Sequence, residues 1–214
     1  MIKFENTEIV GWEAAIYGMR NPMNSWARSD SRHEISMSTG EYLGFKIGPN
    51  DHDLMMRLAK AGTEHAKYRR MIVVYVDITA PLYWWKEFDT YKIGTVANSC
   101  STMHKIAEKG FALEDFSCEH LYQSEELELM ERIIDMLNDD RKLYLDSKKK
   151  EDWWQMIQLL PSSYNQRRTV MMNYEVLANI YRQRKGHKLD EWREGFIQWI
   201  ESLPYSEIII GEEK

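Results

Sequence analysis

Two stretches of this chain concentrate side chains able to hold an anionic or hydrogen-bonding ligand. The first is Tyr91–His104, which carries Tyr91, Lys92, Asn98, Ser101 and Thr102 around a lone Cys100. The second is basic and polar, with Arg167, Arg168, Asn173, Asn179, Arg182 and Arg184. An arginine offers a planar, bidentate fork suited to carboxylate or phosphate. If the second stretch is one helix, Asn173 and Arg184 lie about three turns apart on one face, roughly 16 Å from each other, and Asn179 sits about 120° off that face. One small ligand cannot touch all three from one chain. Either the ligand is extended, or sites form between chains, or these residues simply face solvent. Cys100 has no placed histidine base and reads as inert.

The surrounding elements can be read from pattern. Residues 1–20 hold a strand-like start with Ile2 and Phe4, then an apolar segment from Trp12 to Tyr17. Residues 21–50 are rich in turn formers and read as loop with a possible hairpin. Asp51 or Asp53 is placed to cap a helix with Leu54, Met55, Leu58 and Ala61 on one face. Met71–Ala80 is the clearest strand, and Pro81 then suits the first turn of a helix over Tyr83–Tyr91. The aromatic group Tyr83, Trp84, Trp85, Phe88 and Tyr91 reads as packing in a core or subunit interface. Ser124–Tyr144 is a long helix with acids at its start and Met130, Ile133, Ile134 and Leu137 as its apolar stripe. Glu151–Leu160 is a short helix ending before Pro161. A further helix is expected from Ser162 or Ser163 to Lys185, and a last one over Leu189–Leu203 with Trp192, Phe196, Trp199 and Ile200 inward. The sum is a helix-rich α+β protein with few strands, read as a single domain over residues 1–214.

Composition narrows the classes. The chain has 214 residues, with 28 Lys plus Arg against 34 Asp plus Glu, a net charge of -6. That balance argues against a general nucleic-acid coat but leaves room for a local anion pocket. Met71–Val76 is the longest apolar run, far short of a membrane span. The start shows no basic stretch followed by an apolar one, and two cysteines make no disulfide framework, so cytoplasm is the expected compartment. There is no HExxH, paired CxxC, P-loop, GxGxxG or Gly-x-Ser-x-Gly motif, and the six histidines are scattered, so no metal site is expected.

Two segments resemble the flavin-dependent thymidylate synthases, the ThyX family. One is HAKYRRMIVVYVDITAPLYWWKEFDTYKIGTVANSCSTM, residues 65–103; the other is LPSSYNQRRTVMMNYEVLANIYRQR, residues 160–184. The family has a His, a strand ending in Ala-Pro, a helix and then an Arg-His-Arg signature. It also has a Leu-Pro, an Asn, a second Asn six on and an Arg five further, matched here by Leu160, Pro161, Asn173, Asn179 and Arg184. The resemblance implies a ThyX-like fold and a homotetramer with sites between subunits. It implies FAD and a dUMP-like pyrimidine deoxynucleotide, with NADPH and methylenetetrahydrofolate as co-substrates if the protein turns over. It assigns His65, Asn173, Asn179 and Tyr91 to the flavin, and Arg184, Ser101, Lys92, Glu87 and Arg167 to the nucleotide; no catalytic residue is assigned.

The departures are specific. Arg-His-Arg aligns with Thr90-Tyr91-Lys92, and a Gln position nearby reads Glu87. The Ser and Arg that end the signature become Cys100 and Thr102 without a gap, or Ser101 and Met103 with one inserted residue. The Arg three before Leu-Pro is Ile157. Losing one charge-assisted hydrogen bond to a phosphate costs about 1.5–3 kcal/mol. Lys86, Arg69, Arg70 and Arg168 are the basic residues available to compensate. The alternative is therefore a non-catalytic nucleotide binder of the same fold, such as a phage sponge for a signalling nucleotide, with Trp84 and Trp85 serving a changed ligand. A purely structural protein is a third reading.

Overall fold

The computed structural model describes residues 2–211. In chain order it runs β1 (Lys3–Val10), α1 (Trp12–Arg20), two short 3-10 turns, β2 (Arg32–Ile35), β3 (Tyr42–Lys46), α2 (Pro49–Ala61), a 3-10 turn Lys67–Arg70, β4 (Val73–Pro81) and α3 (Leu82–Phe88). There follow β5 (Val96–Ser99), α4 (Thr102–Lys105), α5 (Ser124–Ser147), α6 (Lys150–Leu159), β6 (Asn165–Asn173), α7 (Tyr174–Arg184), a π-helical turn Glu191–Phe196, α8 (Ile197–Glu201) and α9 (Glu207–Ile210). This is the expected helix-rich α+β architecture with a small sheet. Its four strands are ordered β1-β4-β6-β5, and β2 and β3 form a separate antiparallel pair with Arg32 opposite Lys46 and His33 opposite Phe45. Among the described residues no helix is long and apolar enough to cross a membrane.

By packing, the chain forms two compact units: residues 2–5, 77–90 and 97–169, and residues 6–76, 91–96 and 170–211. The first unit has a core of Ile106, Phe111, Phe116, Met130, Ile134, Leu137 and Met156. Trp84, Trp85 and Phe88 are also fully buried in it, with Trp84 and Phe88 stacked at 5.1 Å and Trp85 edge-on to Trp84 at 4.9 Å. The second unit buries Ala15, Ile16, Met55, Ile72, Val74, Met172, Leu177, Ile180, Trp192 and Phe196.

Local chemistry explains the main boundaries. Acids Glu125 and Glu126 occupy the first turn of α5, where the helix dipole favours them. That helix ends with Lys148 in the left-handed region (φ 55), its N–H donating to the Tyr144 carbonyl. Gly11, at φ +93, precedes α1; a Cβ there would stand 2.1 Å from the Met71 carbonyl oxygen. Pro81 closes β4 and stands at the N-cap of α3, one residue earlier than expected for a proline in a first turn.

One expectation is overturned. The helix read from Ser162 or Ser163 to Lys185 is two elements, strand β6 and helix α7, joined at Asn173. In Asn165–Asn173 the buried residues are Gln166, Val170 and Met172, all on one side of a period-two pattern. Placement between β4 and β5 gives this polar segment hydrogen-bonding neighbours on both edges, which outweighs its modest strand propensity. Arg167 and Arg168 therefore stand on a strand, whereas Asn173 caps α7 and Arg184 ends it, so the expected separation of about three turns between those two holds. The last expected helix is present, its first part π-helical (Glu191–Phe196) and continuous with α8, with Trp192, Phe196, Trp199 and Ile200 all buried as expected.

Candidate functional site

The α7 helix positions the most connected group. Asn173 caps it: the Asn173 side-chain oxygen accepts from the Val176 N–H at 3.0 Å. Gly94 (φ +75) packs against this cap so closely that a Cβ would lie 3.1 Å from Asn173 Nδ2 and 3.0 Å from Val176 Cγ2. Farther along the helix, side chains join in series. Gln183 Nε2 donates to Asn179 Oδ1 at 3.1 Å, one helical turn away. Tyr91 Oη donates to Gln183 Oε1 at 3.0 Å and accepts from Arg184 Nε at 2.8 Å. The Arg184 guanidinium carbon lies 4.7 Å from the Trp192 ring centre and 5.6 Å from that of Tyr91. Trp192 and Tyr91 meet edge-on at 6.1 Å. Three of the residues singled out from sequence, Tyr91, Asn179 and Arg184, thus belong to one network. Gln183 and Trp192 also belong to it. Gln183 drew no attention in the sequence, although it stands one turn from Asn179; Trp192 was visible only as a core residue.

His65 lies elsewhere in the same unit, exposed on the turn between α2 and the strand β4. It borders a cleft of about 1260 Å³ walled by α1, the loop after it and α2. Arg20, Arg28, Arg57 and Lys67 line this cleft together with Asp53, Glu64 and the amides Asn21, Asn24 and Asn50. Arg57 pairs with Asp53 at 2.9 Å. Among the described residues no ion pair holds Arg28, Lys67 or Glu64, so beside the paired groups the cleft presents two cations and one acid. The wall is held by Asp51, fully buried, whose carboxylate accepts from Arg20 Nε at 2.6 Å, the hydroxyls of Ser29 and Ser31 at 2.6 Å each, and the N–H groups of Asp30 and Ser31. Burial pushes this carboxyl up, but the Ser29 and Ser31 hydroxyls and the Arg20 guanidinium outweigh it and hold it below the usual carboxylate range. None of Asn173, Asn179, Tyr91 and Arg184 borders this cleft.

In the other unit, Ser101 and Arg167 share a smaller cleft of about 480 Å³. Ser101 caps the short α4, accepting from the His104 N–H at 3.0 Å. Arg167 Nη2 donates to Asp77 at 2.8 Å, with Glu5 at 3.4 Å, and these acids hold its charge. Lys105 pairs with Glu108 and Lys109 with Asp115 at the same cleft. Arg168 is withdrawn: it stacks on Trp85 at 4.2 Å and pairs with Asp89 at 2.7 Å. Trp84 and Trp85 have no accessible surface, so the suggestion that they face a changed ligand is corrected; they are core. Cys100 is an exposed thiol whose backbone bonds to Arg167 and Gln166. Glu87 lies half-buried on α3 in this unit, and Lys92 is exposed just after Tyr91 in the other.

No protein-family model matches the chain, and no curated protein sequence matches it. Solved structures do. Thymidylate synthase X (ThyX) from Helicobacter pylori, crystallised with FAD and dUMP, superposes with a TM-score of 0.73 at 16% identity, over 99% of this chain and 98% of that one. A second structure of the flavin-dependent ThyX of Helicobacter pylori, complexed with FAD and dUMP, gives 0.66 at 17% identity, over 98% of both chains. At this identity the match establishes the fold, which is ThyX-like from end to end.

Proposed function

We propose that this protein binds FAD and a dUMP-like pyrimidine deoxynucleotide at sites shared between copies of a homotetramer. The observation that carries the reading is the Tyr91–Arg184–Trp192 arrangement. An arginine held by a phenol hydroxyl at 2.8 Å and stacked at 4.7 Å on an indole is set before any ligand arrives. Pre-setting reduces the ordering cost of binding. A guanidinium is the kind of donor that a pyrimidine carbonyl or a phosphate takes. Asn179 belongs to the same network, and Asn173 anchors the start of the same helix. The ThyX structures of the same fold hold FAD and dUMP, which makes these the ligands to test first.

The residues fit a flavin dinucleotide. The His65 cleft is large enough for an extended ligand, and Arg28 and Lys67, against Glu64, leave it a net cationic lining suited to a pyrophosphate. Bound FAD would supply hydride transfer; this chain supplies binding and orientation. Separation of His65 from the α7 network within one chain agrees with sites completed by a second copy.

A non-catalytic nucleotide binder is the second reading, and one observation favours it. Tyr91 replaces the family's signature histidine and turns its hydroxyl onto Arg184 and Gln183, while Lys92 stands alone where a second Arg fork is usual. The deciding experiment is an absorbance spectrum of the protein as purified, followed by denaturation and mass spectrometry of what is released. Released FAD, or FAD uptake with a flavin spectrum, supports the flavin reading and leads to an assay with dUMP, methylenetetrahydrofolate and NADPH. A colourless protein carrying another nucleotide, and refusing FAD, replaces it with the binder.

A further inference from the structure

A third cleft, of about 190 Å³, opens between α1 and the β2–β3 pair, outside the proposed flavin and nucleotide sites. Glu13, Tyr17 and Arg20 reach it from one face of α1, at the spacings of four and three that bring side chains together on a helix. Trp26, His33 and Phe45 close the other side. Its walls are aromatic yet open to water. Tyr17 is 59% exposed and Trp26 39%, and their rings stack at 5.7 Å. Phe45 meets His33 edge-on at 5.2 Å. Accessible aromatics around a concave space, with a few polar groups converging on it, are the make-up of a small-molecule site. The cleft shares only Arg20 with the larger His65 cleft and includes none of Tyr91, Asn179 and Arg184.

Two polar groups decide what this cleft takes. At its floor Arg20 is only 4% exposed. Arg20 Nε donates to Asp51 at 2.6 Å and Nη1 to the Ser25 carbonyl at 3.3 Å, while Nη2 makes no hydrogen bond among the described residues and is not sealed from solvent. Ser29 and Ser31, which share Asp51 with Arg20, line the same cleft, so the guanidinium end stands here. At the rim Glu13 Oε2 meets His33 Nε2 at 3.2 Å, and Glu13 Oε1 has no hydrogen bond among the described residues. The cleft thus offers a fixed N–H donor at the bottom and a carboxylate acceptor at the mouth. Its charges balance. Asp51 neutralises Arg20; at the rim Arg32 and Lys46 both lie on Glu34, at 3.7 and 3.1 Å, and Glu13 is the fourth charge. An ion finds no net counter-charge, whereas a neutral polar ring finds stacking and hydrogen bonds.

We propose that this cleft binds a neutral planar heterocycle carrying a ring carbonyl and a ring N–H, the class of the oxo-pyrimidine and oxo-purine bases. The carbonyl accepts from Arg20 Nη2, the ring N–H donates to Glu13, and the ring face lies against the aromatic wall, where a base stacks through its π face.

The test is calorimetric titration of the full-length protein with uracil, in the presence of excess dUMP and again in the Arg184→Ala variant. Saturable binding is expected in both. Two analogues read the two polar contacts: 1,3-dimethyluracil keeps the carbonyls but has no N–H, and 4-aminopyrimidine keeps N–H donors but has no carbonyl. Each should bind roughly tenfold more weakly than uracil, having lost a hydrogen bond to a charged group. Glu13→Ala and Tyr17→Ala change exposed positions of α1, so the fold is kept, and each should weaken uracil roughly tenfold by removing an acceptor or a stacking wall. Absence of saturable binding up to the solubility of uracil overturns the proposal. So does either analogue binding as tightly as uracil, or affinity unchanged in both α1 variants. A uracil signal that dUMP abolishes and Arg184→Ala removes also overturns it, because the base then sits at the α7 network; that result leaves the nucleotide reading standing while this one falls.

Discussion

At the scale of single residues the decisive pair is Tyr91 and Arg184. Arg184 is the position where the proposed nucleotide meets a guanidinium, so Arg184→Ala should weaken dUMP binding at least tenfold in a calorimetric titration. Unchanged affinity would remove Arg184 from the site. Lysine is no substitute, since it keeps the charge but loses the planar fork and the stack on Trp192; Arg184→Lys should therefore behave closer to alanine than to wild type. Tyr91→Phe keeps the ring and deletes only the hydroxyl that fixes Arg184 and Gln183. A hydrogen bond to a charged group is worth about 1.5–3 kcal/mol. With Arg184 partly exposed the lower figure applies, so roughly a tenfold loss of dUMP affinity is expected at little change in melting temperature. A large fall in melting temperature with intact affinity would instead make Tyr91 a packing residue.

At the scale of elements, two devices hold site walls in place. Gly94 abuts the Asn173 cap, so Gly94→Ala forces a side chain into a left-handed position against Asn173 and Val176. Loss of a helix cap typically costs about 1 kcal/mol, and the backbone strain adds to it; urea unfolding should show a drop of that order or more. Asp51 ties the loop 20–31 to the start of α2 and so shapes the His65 cleft. Asp51→Asn leaves the buried Arg20 without its counter-charge, a change expected to cost about 3–5 kcal/mol. The pH dependence has a definite sign. The folded carboxyl is held below its unfolded value near 4, so its contribution is complete above about pH 4 and is lost as pH falls through the lowered folded value. The Asn variant should lose that acid-limb dependence. Legibility in the sequence follows the same physics. Met71–Ala80 was plain because β-branched residues dominate it up to a proline, and α5 because its acids, stripe and length agree. Asn165–Asn173 was not, because a segment with Gln166, Arg167 and Arg168 becomes a strand only through neighbours distant in sequence. For the same reason Asn173, visible as a polar residue, could not be seen as a cap. The resemblance in residues 160–184 nonetheless brought Asn173, Asn179 and Arg184 forward together. Asp51 was seen only as a possible cap; its five donors come from residues 20–31, and no local pattern announces them.

At the scale of the whole molecule, the separation of groups becomes the argument. Within one chain His65 borders one cleft, while Tyr91, Asn179 and Arg184 form a network that does not touch it. A ThyX-like fold with sites between copies accounts for this if His65 of one chain serves the network of another. The arrangement is testable by mixing. His65→Ala and Arg184→Ala each remove one half of such a site, so each alone should bind neither FAD nor dUMP with wild-type affinity. Co-expressed in equal amounts, they assemble at random. A site that draws His65 from one chain and Arg184 from another is then intact with a probability of one half times one half, so about a quarter of the sites should recover. If both residues serve a site within one chain, every site carries a defect and none recovers. Counting high-affinity sites per chain in the mixture, by titration with FAD and dUMP together, separates the two outcomes. Recovery near a quarter also fixes the assembly as the functional unit, so dilution below its dissociation range should lower ligand affinity along with particle mass. Full affinity retained by a monomer would refute shared sites directly.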